Sequence, residues 1–124
     1  MYSEKRALKF ASLAEVVTGW IALIDPVILV RLLFGAEIAG AGTIVARILG
    51  ASLLGLGVSC WPGSWFVNIP QTVLGILIYS FFVTFYFGYL GITGQWVGLL
   101  LWPAILLHAS LTFLLCLGLC TSKL

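Results

Sequence analysis

Charge is what this sequence has least of. Asp and Glu together number 4, Lys and Arg 6, and 124 residues hold a single histidine. So small a polar inventory cannot clothe a water-facing surface. With 62% hydrophobic residues and a mean hydropathy of +1.20, the chain reads as one integral membrane domain. A net charge of +2 without a basic run excludes a phosphate-tracking arm, so nucleic acid is not an expected partner. Cys60, Cys116 and Cys120 lie in apolar runs and are odd in number, which argues against a disulfide framework; they read as free, buried thiols. No His or Cys spacing fits a zinc site, and no metal is expected. Also missing are a nucleophile and base at motif spacing, a glycine-rich phosphate loop and long connections, so no enzyme is expected.

What is present is a series of apolar runs. Lys5, Arg6 and Lys9 precede the first, as in a signal peptide, but that run contains Glu15 and lacks a small-residue cleavage site, so it is expected to be retained. Helix one is expected over residues 7–24, stopped by Asp25-Pro26. Asp25 and Pro26 then suit the start of a short segment over 27–34, which Gly35 closes and which is too short to span. With Arg31 inside it, this piece reads as interfacial. Helix two is expected over 39–61 and ends in Trp61-Pro62-Gly63, with Trp61 and Trp65 at headgroup level. Helix three is expected over 70–90, rich in Phe and Tyr for packing and lipid contact; a tight turn follows over 91–95. Helix four is expected over 96–119, kinked at Pro103 with the carbonyl of Leu99 released. The fold class is therefore all-α, a four-transmembrane-helix bundle with a short interfacial helix between helices one and two. Both termini share the side of Lys5, Arg6, Lys9 and Lys123, which the positive-inside rule makes cytoplasmic.

Helix two reads as the central packing helix. Its small residues, Ala46, Gly50 and Gly57 among them, leave one face nearly bare for close helix approach. Arg47 sits beside that face and needs a partner, since an intramembrane charge costs roughly 2.5 to 3.5 kcal/mol on insertion scales. Counting ~1.5 Å per residue from the cytoplasmic ends puts Glu15, Tyr79, His108 and Arg47 between ~12 and ~20 Å deep. The four read as one buried polar layer with Glu15 paired to Arg47. That layer can fix helix register and nothing more. Alternatively, Glu15 and His108 form a proton or cation site, or His108 ligates a haem or chlorophyll-type macrocycle with Ala104 leaving room for the ring.

Three segments carry a resemblance: Asp25-Pro26 through Arg31-Leu32-Leu33-Phe34-Gly35; Val45 to Ala51 with Gly55 and Trp61-Pro62-Gly63; and Gly98 through Trp102-Pro103-Ala104 to His108 and Thr112. In these the chain resembles a group of small bacterial four-helix membrane proteins without an assigned function. The likeness implies the fold, but no activity; the expected location is a bacterial inner membrane. Leu13-Ala14-Glu15-Val16 also looks like the membrane-embedded glutamate motif of small multidrug-resistance transporters. The rest departs from them: they lack a segment like 25–35, and helix three here does not carry the Trp-x-Gly packing pattern of their third helix.

Two function classes follow. The first is a non-catalytic accessory or scaffold subunit, docked in the bilayer against a membrane-protein partner or as a homo-oligomer. The second is a small proton- or cation-linked transporter using Glu15 and His108. Arg47 discriminates between them: a dry Glu15–Arg47 pair removes the transport site, whereas a cavity reaching Glu15 favours it.

Overall fold

The computed structural model describes residues 2–63 and 69–121, with side chains from Glu4 onward. The described chain is all helical: α1 (Tyr2–Ile24), α2 (Pro26–Phe34), α3 (Ala41–Ser59), α4 (Ile69–Thr93) and α5 (Leu101–Thr121). All but α2 are long and apolar enough to cross a membrane. Trp65 and the terminal Lys123, used above to place membrane boundaries and topology, lie outside the described residues.

Local chemistry explains most boundaries. The Asp25 carboxylate accepts from the Ile28 N–H at 3.1 Å, Pro26 opens α2, and Gly35 closes it at φ 65°, with its N–H donating to the Arg31 carbonyl. Arg31 then reaches Glu37 in the following connection, with Nε 2.9 Å from Oε1. α1 begins earlier than expected because Glu4, Lys5 and Arg6 suit a helix interior. Lys5, Arg6 and Lys9 stay exposed while Glu4 packs against Gly118 of α5.

α4 runs through the expected turn at Gly91 and stops only at Gly94, which takes φ 72° and donates to the Leu90 carbonyl. α5 starts later than expected, since the segment before it is engaged elsewhere. The Gly98 N–H donates to Leu33 O at 2.9 Å and the Leu100 N–H to Leu32 O at 2.7 Å, tying this segment to the end of α2. Pro103 consequently falls in the first turn of α5, where its missing N–H is not needed; the expected release of the Leu99 carbonyl does not follow.

The central helix is α1, not α3. α1 packs against α3 along most of its length and also meets α2, α4 and α5, whereas α3 touches only α1 and α2 among the described elements. The α1–α3 seam is built from glycines. A β-carbon on Gly50 would lie 2.8 Å from the Gly19 carbonyl, and one on Gly57 would lie 2.7 Å from that of Ser12. Ala46 is half-buried beside this seam. α4 and α5 form the second pair and join α1 through a core of Leu8, Ala11, Ile76, Val73, Leu111 and Leu115.

Apolar side chains also cover the outside. Phe82 is 65% exposed, Phe85 74% and Phe113 64%, far more apolar surface than water tolerates on a small monomer. The hydroxyls there turn inward along their own helices: Ser52 donates to the Ile48 carbonyl and Ser110 to that of Leu106. The three thiols are free, as composition suggests, but only Cys60 is buried; Cys116 and Cys120 lie on the outer face of α5.

Candidate functional site

Three of the four expected polar residues meet. Glu15 of α1 is 3% exposed and His108 of α5 8%, and half-buried Tyr79 of α4 lies between them. The Tyr79 hydroxyl donates to Glu15 Oε2 at 3.2 Å, and its ring meets that of His108 edge-on at 5.6 Å. The His108 carbonyl accepts from the Thr112 hydroxyl, while its Nδ1 is enclosed without a hydrogen-bond partner. Ser12 and Ser80 likewise bury unpartnered hydroxyls.

Arg47 is not part of this layer. It is exposed on α3 and makes no hydrogen bond or ion pair among the described residues. Helix geometry gives the reason. Gly50 and Gly57 must face α1 for the backbones to approach, which points Ala46 and Leu53 toward the bundle interior, leaves Leu49 at its edge and turns Arg47 away. The expected Glu15–Arg47 pair therefore does not form.

A cavity of about 510 Å³ lies beside the polar layer instead. Glu15, Tyr79 and His108 line it together with Thr18, and the remaining lining is almost wholly apolar, drawn from all five helices. Leu29, Val30, Leu33 and Phe34 of α2 bound it, with Phe34 meeting Phe87 of α4 edge-on at 5.6 Å. The cavity thus occupies the α2 half of the bundle, and the packed core around Leu8, Ile76 and Leu115 fills the other half. The polar layer lies at the boundary between the two. A space of this size falls within the roughly 300 to 1,000 Å³ typical of small-molecule sites. A larger groove of about 630 Å³ between α1 and α5 has only Arg6 and Ser110 as polar lining and brings no carboxylate or histidine together.

Ala104, one turn before His108, also lines the cavity and widens it there. A macrocycle held by His108 would find no second histidine in this chain, because His108 is the only one. Sequence reasoning missed Gly19, which meets Gly50 and sets the α1–α3 distance, and Thr18, which lines the cavity. The signal for Gly19 was present in its seven-residue spacing from Ser12, a second small residue on the same face of helix one. Compared with protein families, curated proteins and solved structures, the chain matches none.

Proposed function

We propose that the chain lies in a membrane as four spans with both termini cytoplasmic, and that it is a small carrier exchanging a lipid-soluble cation for a proton at Glu15. The observation that carries this reading is a ligand-sized cavity reaching a buried carboxyl with no Lys or Arg in its lining. A carboxylate in such surroundings is costly unless a cation meets it, and protonation is the other way to remove its charge. Cation and proton thus compete for one group. Binding of a permanent monocation L⁺ converts Glu15–COOH to Glu15–COO⁻·L⁺ and releases H⁺, leaving charge and protons balanced.

The lining fits such a ligand. The rings of Tyr79, Phe34 and Phe87 offer faces that attract cations, and the aliphatic wall accepts an apolar body. Tyr79 orients the carboxyl through its hydrogen bond, and His108 lines the same cavity as a second group able to accept a proton. The carrier is preferred to the accessory-subunit reading because a cavity reaches Glu15 and Arg47 does not meet it among the described contacts.

Binding of tetraphenylphosphonium to the detergent-purified protein tests the proposal. The expected result is saturable binding that releases up to one proton per chain and is lost in Glu15→Gln. Equal binding by Glu15→Gln, or binding without proton release at any pH between 5 and 8 (roughly the range in which such groups are tuned), overturns it. Cysteines introduced at Ser3, Glu37 and Ser122, in a chain lacking Cys60, Cys116 and Cys120, test the topology. An impermeant thiol reagent added outside intact cells should label only position 37.

A further inference from the structure

We infer that the outer face of α3 docks against a membrane-spanning helix of another protein, which carries an Asp or Glu opposite Arg47. This rests on the membrane placement proposed above but not on the carrier activity. Arg47, Ala51 and Gly55 recur every four residues along α3, and all three are exposed. α3 packs only on α1 and α2, so this side of the helix is uncovered. Arg47 lies six residues into α3, roughly 9 Å below its first residue, between Ile44 and Ile48, each 62% exposed. A guanidinium cannot shed its charge by losing a proton, and hydrocarbon supplies neither water nor dipoles to answer it.

The chain's own four carboxylates are all committed elsewhere. Glu4 packs on Gly118, Glu15 accepts from Tyr79 inside the bundle, Asp25 caps α2, and Glu37 is paired with Arg31. A second copy docked symmetrically through α3 would therefore bring Arg47 toward Arg47 and offer it no acid. Charge complementarity points to a different chain with a carboxylate at that depth. A β-carbon on Gly55 would meet nothing within 4 Å, so Ala51 and Gly55 leave a shallow track on which a foreign backbone comes close. Such an approach would bring the two charges together in a setting where their attraction is scarcely screened.

Photocrosslinking of the full chain in the membranes that naturally contain it tests the inference. A benzophenone side chain is placed at Ala51 and, as a control, at Phe113 on the outer face of α5. The expected result is one protein adduct from position 51, absent from position 113, mapping to a spanning segment with an Asp or Glu. Arg47→Gln should lower its yield at least tenfold, whereas Arg47→Lys should retain most of it. Arg47→Glu should abolish the adduct, and an Arg in place of the partner's acid should restore it. Adducts only with lipid, only with a second copy, or with a segment lacking a carboxylate overturn the inference, as does an unchanged yield in Arg47→Gln. Alkaline washing of the same membranes separates the two failures. Release of the chain defeats the membrane placement and this docking together, while retention without a protein adduct defeats the docking alone.

Discussion

The α1–α3 seam gives the most direct test of the packing, through Gly50→Ala against Gly55→Ala on the same helix. A β-carbon at position 50 would stand 2.8 Å from the Gly19 carbonyl oxygen and 2.9 Å from both the Ala22 β-carbon and the Leu23 nitrogen. None of these is the end of a flexible side chain, so relief requires the two helices to part. Ordinary carbon contacts lie near ~3.5 to 4.0 Å, which sets the separation at roughly 0.5 to 1 Å. Overfilling of this kind typically costs ~1 to 3 kcal/mol. At Gly55, open space receives the methyl group, and the gain in helix propensity is ~0.8 to 1.0 kcal/mol. Position 50 gains the same propensity, so the two variants should differ by the overfilling cost alone, about 1 to 3 kcal/mol, or about 5- to 150-fold in the ratio of folded to unfolded protein. Denaturation in mixed micelles, followed by loss of helical signal, reads this difference. If Gly50→Ala proves as stable as Gly55→Ala, the close approach of α1 and α3 is refuted.

Other consequences can be checked separately. Glu15→Gln and Arg47→Gln should be additive in stability within ~0.5 kcal/mol, since the two side chains do not meet; a coupling of several kcal/mol in a double-mutant cycle would restore the ion pair. Gly98→Ala should push the pre-α5 segment off α2, because its β-carbon would fall on the Leu32 carbonyl, and hydrogen exchange at the Leu100 amide should accelerate. Unchanged exchange there would show that the contact does not hold α2. Cation affinity should rise with pH, by up to about tenfold per pH unit while the empty site binds its proton, because fewer protons then compete for Glu15. Titration of binding against pH checks the sign: a profile that falls as pH rises would assign the ligand to the protonated carboxyl, and a profile that survives Glu15→Gln would assign the linkage to another group.

Much of the fold was legible because hydropathy alone separates the four long helices, and Asp25, Pro26 and Gly35 each carry a local signal for one end of α2. The start of α5 was not, since residues 96–100 are as apolar as a helix while their backbone donors go to Leu32 and Leu33. Nothing in a window of sequence announces a hydrogen bond to a segment so distant. Gly50 and Gly57 revealed a bare face but not the number of neighbours around it, so α3 was given the centre that α1 occupies. The same limit applies to the polar layer. Depth could be counted along each helix, and it brought Glu15, Tyr79 and His108 together, but rotation about the axis of α3 depended on which face α1 would take. That choice turned Arg47 outward and left room for the cavity.

The tie between α2 and the segment before α5 also orders the assembly of the molecule in time. During synthesis the carbonyls of Leu32 and Leu33 emerge about 65 residues ahead of the amides of Gly98 and Leu100 that will occupy them. At ~5 to 20 residues per second that is a wait of roughly 3 to 13 seconds. α2 is thus second to be made and packs early on α1 and α3, but its backbone tie forms late, and the cavity it bounds closes only after α5 has been delivered.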